Sequence, residues 1–366
     1  MPVDERDHHT PLSEADVIRE LLGRNATFVA FRLPGIETSV RIQRDPVLQG
    51  PRKGERDFVI APFTGDAVCI RPDIEFSVAS APSMLEELSS RNDASSTQPL
   101  VQGLDRAGYR FAVERAIDAI KQGPVKKVVL ARTIDADLAN IDLGTLFSAA
   151  SRAMPHAFVA LVHTAEHGTW LGASPERLLI VQGDRIEVDA LAGTMPSATA
   201  PSEAAAWGAK EREEQELVTR SVLRTMRERG VADATTDGPA VVKAGSIAHL
   251  RTLVNGRLTQ ADPLALAAAL HPTPAVGGTP KAEAIELIHA LEPRDRSLYA
   301  GYWGPMAQGG AELFVNIRCM HVIGTTGFLY VGAGITSGSD PDRECDEVEQ
   351  KARTWLDLIE TQRRAG

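Results

Sequence analysis

Residues 158–193 read FVALVHTAEHGTWLGASPERLLIVQGDRIEVDALAG and contain four short apolar runs. The runs are FVALVHT, GTWLGA, RLLIV and RIEVDALAG, and the turns AEHG and QGDR are too short to contain a crossover helix. Connections of this length join neighbouring antiparallel strands, because parallel strands need a much longer return path. The stretch therefore predicts an antiparallel meander.

Outside this stretch, strands and helices come in separate groups along the chain. The predicted helices cover about 105–122, 203–229, 263–270 and 281–291, with a last helix from about 339, and the later strands cover 299–304, 312–322 and 327–333. Groups of strands with late helices favour an α+β fold over a doubly wound sheet. The polar segment 89–99, SSRNDASSTQP, is the predicted internal boundary, and residues 1–15 are predicted to be disordered.

The composition is that of an ordinary globular protein. The chain has 366 residues, of which 43% are hydrophobic and 24% charged, and its formal net charge of -10 argues against a general nucleic-acid binder. Cys69, Cys319 and Cys345 show no metal-ligand spacing, which favours a reducing compartment. Because there is neither an apolar signal region nor a membrane-length apolar run, we expect a cytoplasmic protein with no membrane partner.

Two glutamate pairs, each spaced three residues apart on a predicted helix, form the strongest candidate site. Glu211 and Glu214 in KEREEQELV fall within the apolar stripe of their helix, and Glu344 and Glu347 in PDRECDEVEQK follow the edge of theirs. Carboxylates that face a core are costly unless they are paired. If the two helices meet, a hard divalent cation such as Mg2+ relieves the repulsion. The alternative is that some of these acids are solvated helix surface.

Two single residues have the character of an acid–base pair. Lys127 lies among valines and leucines, and burial favours the neutral amine that can act as a general base. The alternatives are an edge lysine that keeps its ammonium in water and, on the opposite strand face, Lys126. Glu176 ends a strand, where partial desolvation would raise its pKa to suit a general acid; the alternative is a surface turn residue.

A third candidate is an arginine in a strand. Arg318 lies in the alternating run ELFVNIRCM and needs a carboxylate partner, from the protein or from a ligand. Lys351, one helical turn beyond Glu347, is placed to share that partner. Gly332 and Gly334 either let a ligand approach the backbone or merely permit a bend.

Two familiar motifs are excluded. GASPE at 172–176 is not a nucleophile elbow, since a proline and a glutamate stand where that motif requires other residues. GAGITSG at 332–338 lacks the third glycine of a dinucleotide-binding fingerprint and follows a predicted hairpin strand. Neither motif supports hydrolase or nicotinamide chemistry.

The order of these motifs resembles that of the chorismate-utilising enzymes, which include isochorismate, salicylate, anthranilate and aminodeoxychorismate synthases. The resemblance covers about residues 105–362 and rests on KVVLAR, GASPERL, LAGT, KEREEQELV, HL, HPTPAVGGTP, IR, GAGI and PDRECDEVEQK in that order. It implies two large antiparallel sheets packed together with helices outside. Residues 101–366 would form the chorismate-binding catalytic domain, and residues 1–100 a variable region of the same fold.

The resemblance also implies roles for the candidate residues. Glu214 and Glu347 would bind Mg2+, with Glu211 and Glu344 helping directly or through water. Arg318, Lys351 and the backbone near Gly334 would hold the enolpyruvyl carboxylate or support the metal site, and Thr194 and His249 would line the ring pocket. Lys127 would activate water for attack at C2 of chorismate, and Glu176 would protonate the departing C4 hydroxyl.

Details of the motifs favour one reaction within the family. Lys127 is present and no glutaminase domain is fused, so the resemblance implies isochorismate synthase or salicylate synthase, with no glutaminase subunit and a monomeric state. Ala275 in HPTPA is the isochorismate synthase form. Tyr299 resembles the salicylate enzymes and keeps pyruvate elimination open as an alternative. An inactive homologue that binds a chorismate-like acid is a further alternative.

Overall fold

The computed structural model describes residues 12–78, 103–244, 247–258 and 262–365. The helices are α1 (Glu14–Gly23), α2 (Arg106–Gln122), α3 (Leu143–Ala153), α4 (Ala209–Glu228), α5 (Pro263–Leu270), α6 (Lys281–Leu291) and α7 (Pro341–Ala365). The first strands are β1 (Thr27–Arg32), β2 (Ser39–Gln43), β3 (Phe58–Ala61), β4 (Val68–Ile70), β5 (Ile74–Ser77), β6 (Lys127–Asp137), β7 (Phe158–Thr164), β8 (Gly168–Ser174) and β9 (Arg177–Gln182). The later strands are β10 (Arg185–Pro196), β11 (Ala232–Ala244), β12 (Ile247–Arg257), β13 (Gly278–Thr279), β14 (Tyr302–Ala307), β15 (Gly310–Val315), β16 (Cys319–Ile323) and β17 (Thr326–Ile335).

The strands form two large sheets in which the paired neighbours run antiparallel. The nine-stranded sheet has the order β13-β6-β17-β16-β8-β7-β1-β2-β5, and the eight-stranded sheet has the order β11-β12-β10-β9-β15-β14-β3-β4. The strands that precede the predicted boundary, β1 to β5, belong to these same two sheets. The boundary segment itself, 89–99, lies outside the described residues.

The chain passes twice between the sheets at one place, and these two passages are called the sheet crossings here. The first is Pro175–Glu176, between β8 and β9, and the second is residues 316–318, between β15 and β16. The crossings are hydrogen-bonded to the neighbouring strands, since Val315 N donates to Glu176 O and Ala173 N donates to Arg318 O, both at 3.0 Å. The predicted meander is therefore two antiparallel hairpins that lie in different sheets.

A cluster of phenylalanines fills the space between the sheets. Phe158 on β7 stacks on Phe314 on β15, with ring centroids 4.3 Å apart and planes 7° from parallel. Phe31 on β1 meets Phe58 on β3 at 5.3 Å, and Phe58 also lies 6.4 Å from Phe158. Aromatic pairs at such separations add to the stabilisation that their burial provides. The two sheets are therefore joined by apolar contact as well as by the chain.

Several sequence-based boundaries were wrong for identifiable reasons. The first glutamate helix begins at Ala209 rather than near 203, because buried Trp207 anchors the preceding residues and Gly208 then starts the helix. The predicted strand 312–322 is broken at the second crossing, where Arg318 has a φ of 50°. Helix α1 already begins at Glu14, within the segment predicted to be disordered, and residues 1–11 lie outside the described ranges.

Other elements were missed. Helix α3 and the long hairpin β11–β12 were not predicted, although the helices at 263–270 and 281–291 match α5 and α6. Strand β11 is an edge strand with a Gly-Pro step and mostly exposed residues, so it shows no apolar alternation. None of the helices in the described ranges combines the length and apolar character needed to cross a bilayer.

Replacing Phe158 with alanine should lower the free energy of unfolding by about 3–5 kcal/mol, because it leaves a cavity in the centre of the inter-sheet cluster. The measurement is equilibrium denaturant unfolding followed by circular dichroism. Phe111→Ala is the control, since Phe111 is 61% exposed and its loss should change stability by less than about 0.5 kcal/mol. Equal effects of the two substitutions would contradict the assigned packing.

Candidate active site

Most of the predicted site residues line one cavity beside the sheet crossings. They are Glu176, Thr194, Glu214, His249, Ala275, Tyr299, Arg318, Gly334, Glu347 and Lys351. Glu211 and Glu344 instead line an adjoining outer cavity of about 420 Å³, which shares Thr194, Ile247 and Glu347 with the inner one. Lys127 lies directly behind the lining, next to Gly334 and Glu214.

Glu176 is held in the first crossing with its side chain inside the protein. It is 2% exposed, and its Oε1 has no hydrogen-bond partner among the described residues. Burial, together with the charge of nearby Asp189, raises the pKa of Glu176 to about 8. A carboxyl group in this state is protonated at neutral pH and can donate a proton into the cavity. The surface-turn alternative is therefore wrong.

Lys127 is the first residue of β6 and is fully buried. Strand β6 lies between β13 and β17, so the lysine is not on a sheet edge, and Lys126 points outward and is exposed. Lys127 Nζ lies 2.9 Å from Glu214 Oε1, an ion-pair distance at an angle that is poor for a hydrogen bond. Burial opposes ionisation of Glu214, but the charge of Lys127 prevails and lowers the pKa of Glu214.

Helices α4 and α7 bring lysines and glutamates together at the rim of the cavity. Lys351 Nζ lies 2.8 Å from Glu347 Oε1 and also donates to Gly332 O at 2.7 Å. Lys210 Nζ bridges from α4 to Glu344 Oε1 on α7 at 2.5 Å. Burial and the neighbouring charge of Glu347 raise the pKa of Glu344. Including the Lys127–Glu214 pair, three of the glutamates have a lysine as counter-ion.

The glutamates suit a hard cation by donor type, because carboxylate oxygens are the ligands that Mg2+ prefers. Gly334 contributes space, since a Cβ at this position would overlap the carboxylate of Glu214. Within the described ranges, no three acidic, imidazole or thiol groups converge as a formed metal site. Carboxylates that could bind a metal are thus present, and lysine ammonium groups contact three of them.

A histidine and an arginine form a polar part of the cavity wall. Arg318 Nη2 lies 3.2 Å from His249 Nε2, and His249 Nδ1 lies 3.2 Å from Thr194 Oγ1 and 3.3 Å from Gly193 O. Because a guanidinium can only donate, Nε2 is the acceptor and the ring proton is on Nδ1. Burial and the charge of Arg318 lower the pKa of His249 well below its usual value, so the ring is neutral.

Arg318 lies in a different part of the backbone from the one that was predicted. Arg318 lies in the second crossing rather than inside a strand, and burial lowers its pKa to about 10, which leaves it charged at neutral pH. Trp355 on α7 donates to Arg318 O at 2.8 Å and fixes the backbone there. Lys351 itself pairs with Glu347, and the sharing of a ligand carboxylate by Arg318 and Lys351 stays a prediction.

The loop between α5 and α6 closes the apolar side of the cavity with Ala275 and Val276. A buried arginine, Arg296, holds this loop by donating to Val276 O at 2.8 Å, and it also donates to Val129 O on β6 at 2.7 Å. Its counter-ion is Glu292, which is likewise buried. Tyr299 stacks on Tyr330 with centroids 5.2 Å apart and completes the wall.

Comparison with known proteins identifies the family. The family model described as chorismate binding enzyme matches residues 73–360. The chain belongs to the chorismate-binding enzyme family. It is 36% identical to the isochorismate synthase EntC of Escherichia coli K12 over 264 residues, covering 70% of this chain and 68% of that protein. It is 34% identical to the isochorismate synthase DhbC of Bacillus subtilis, covering 68% of this chain and 66% of that protein.

Solved structures of the family share the fold. DhbC from Bacillus anthracis superposes with a TM-score of 0.77 at 26% identity, over 94% of this chain and 99% of that one. Anthranilate synthase component I from Streptococcus pneumoniae superposes with a TM-score of 0.67 at 17% identity, over 97% of this chain and 100% of that one. The prediction of two packed antiparallel sheets with outer helices is therefore confirmed.

Two charged residues of this chain were not found from the sequence. Lys210 stands in the charged run AKEREE, and Arg296 stands in the charged loop EPRDRS. Both segments have the composition of solvated surface, so no local pattern indicates that these side chains are paired or buried.

Proposed function

We propose that this chain is an isochorismate synthase that converts chorismate to isochorismate with the help of Mg2+. The observation that carries the proposal is the buried acid–amine pair, Glu176 and Lys127, at one cavity beside a set of carboxylates. The similarity to proteins named isochorismate synthases supports it. Because the nucleophile is water, the reaction needs no glutaminase subunit.

The proposed reaction is an allylic displacement in which a water oxygen bonds to C2 and the bond between C4 and its hydroxyl breaks. Lys127, which pairs with Glu214 as an ammonium in this structure, accepts a proton from the attacking water after it has released its own, a release that positive charge bound at Glu214 would favour. Glu176, as the neutral acid, donates its proton to the departing hydroxyl, which leaves as water. One water is consumed and one is released, so the product is an isomer of the substrate. Proton exchange with solvent then restores both side chains.

The other lining residues bind and orient the substrate in this proposal. Arg318, Lys351 and the backbone at Gly334 hold the enolpyruvyl carboxylate, and the guanidinium supplies the planar pair of donors that a carboxylate prefers. Thr194 and His249 line the ring pocket, where neutral His249 fixes the orientation of Arg318.

The carboxylates of Glu214 and Glu347, supported by Glu211 and Glu344, would hold Mg2+. The ion, when bound, supplies positive charge to the ring carboxylate of the substrate. Glu214 also faces Lys127, so the charge on this glutamate is shared between the metal site and the general base.

The domain assignment follows the same reasoning. Residues 101–366 carry the proposed catalytic and binding residues, and the strands of residues 1–100 extend both sheets beside them. We therefore propose that the first hundred residues are a variable part of one fold that works as a monomer.

Incubation of the purified protein with chorismate and Mg2+, followed by chromatography, should yield isochorismate as the main product. Omission of Mg2+ with EDTA present should abolish turnover. Salicylate together with pyruvate as the main products would assign the chain to the salicylate synthases instead, an alternative that Tyr299 in the cavity wall keeps open. Binding of chorismate without any turnover would indicate an inactive homologue.

Lys127→Met should lower kcat by roughly 10²–10⁴-fold, because it removes the general base. Lys126→Met is the matched control: Lys126 is exposed on the opposite strand face, and its variant should retain wild-type kcat. Circular dichroism should show that both variants are folded. An inactive Lys126→Met protein beside an active Lys127→Met protein would mean that the base is assigned to the wrong face of β6.

The rate should fall as the pH rises through about 8, because Glu176 acts as an acid and loses its proton there. The sign follows from the raised pKa: the neutral form needed for donation is present below this pH and is lost above it. Steady-state kcat/KM measured between about pH 6 and 10 tests this expectation. A profile with no decline on the alkaline side, or a Glu176→Gln variant with full activity, would contradict the assignment.

A further inference from the structure

A cation that binds the glutamates has to compete with three lysine–glutamate pairs. Lys127 contacts Glu214, Lys351 contacts Glu347 and Lys210 contacts Glu344, so the charge that a metal would neutralise is already neutralised by ammonium groups. A divalent ion and a lysine cannot both sit close to the same carboxylates without strong repulsion. At least one of these pairs therefore has to open when a cation binds.

The surroundings of the three lysines identify the one that can leave. Lys127 is fully buried, and Lys351 is held a second time by its bond to Gly332 O. Lys210 is different, since its side chain is 33% exposed whereas that of its partner Glu344 is 2% exposed.

The structure also provides a place for the displaced side chain. Lys210 lies in the first turn of α4 and lines the outer cavity of about 420 Å³ together with Glu344. Two further carboxylates, Asp340 and Asp346, line the same cavity. An ammonium released from Glu344 thus remains in water and close to negative charge, which keeps the cost of opening this pair low.

We propose that Lys210 is a built-in counter-ion for Glu344, which a divalent cation displaces into the outer cavity, so that this lysine competes with the metal and lowers the metal affinity of the site. The proposal rests on the proposed function in that it takes Glu344 to support a cation site. It assigns to Lys210 a role outside the chemical step: a positioning residue that competes with the metal.

Lys210 should have opposite effects on the stability of the metal-free protein and on metal binding. Without metal, Lys210 stabilises the fold, because it compensates a carboxylate that is buried beside the like charge of Glu347. With metal, the same lysine opposes binding, because its bond to Glu344 must first be broken. Removing its charge should therefore weaken the metal-free protein and strengthen metal binding.

The experiment compares wild type with Lys210→Met, a substitution that keeps the length of the side chain. Calorimetric titration with MgCl2 in the absence of chorismate should give a dissociation constant that is about tenfold smaller for Lys210→Met. Thermal unfolding should show a lower midpoint than wild type in EDTA, and a larger rise of the midpoint on addition of Mg2+.

Arg343→Met is the matched control. Arg343 is an exposed cation that lines the same outer cavity but makes no side-chain bond to Glu344. If removal of any nearby positive charge tightened Mg2+ binding, both variants would show the same change, and the specific role of Lys210 would be refuted. A change confined to Lys210→Met supports it.

Unchanged or weaker Mg2+ binding by Lys210→Met would overturn the inference, because it would mean that the lysine stays in place or helps to hold the metal. These readouts are independent of the reaction. Failure to convert chorismate would refute the proposed function while the Mg2+ titrations still decide the role of Lys210, and a working isochorismate synthase with unaltered Mg2+ affinity in the variant would refute the inference alone.

Discussion

The geometry of the site depends on one buried ion pair, Arg296 with Glu292. Both side chains are almost completely buried, and each bonds to a different part of the chain: Arg296 to Val276 O and Val129 O, and Glu292 to the backbone N–H of Ala131 at 2.8 Å. A buried pair of this kind adds little net stability, but loss of one partner typically costs about 3–5 kcal/mol, because the other charge remains unpaired. The pair thereby fixes the loop with Ala275 and the strand with Lys127 relative to one another.

The remaining charges of the site are arranged by the same rule that a buried charge needs a partner. Lys127, Lys210 and Lys351 each contact a glutamate, and Arg318 contacts a neutral histidine. Glu176 carries no charge: its Oε1 has no hydrogen-bond partner in the described part of the chain, and burial keeps the carboxyl group protonated. The proton donor, Glu176, is thus uncharged, whereas Arg318 and Lys351, which are proposed to bind an anion, are charged. The two roles therefore fall on separate residues.

Local patterns in the sequence predicted much of this structure. Alternation of apolar residues left Lys127 and Lys126 both open, and the structure shows that Lys127 is the buried one; the short turns predicted the hairpins β7–β8 and β9–β10. They did not reveal that these hairpins lie in different sheets, because the residues between β8 and β9 show no signal for which sheet the next strand joins. Lys210 and Arg296 were missed since pairing and burial of a charged residue depend on distant parts of the chain. The sequence placed the four glutamates on the helix faces that line the cavities, but it did not predict that three of them each contact a lysine.

The two sheet crossings have a mechanical consequence. Because covalent chain passes between the sheets at both crossings, and because strand hydrogen bonds tie each crossing to its neighbour, the sheets cannot slide past one another at the cavity. Glu176 and Arg318 are consequently held on backbone that is fixed to both sheets. The opposite rim consists of α4 and α7, which are joined there by the Lys210–Glu344 pair between side chains and not by the backbone. Separating α4 from α7 has to break the Lys210–Glu344 pair, whereas α7 is tied to the sheet wall by the bonds from Lys351 to Gly332 O and from Trp355 to Arg318 O.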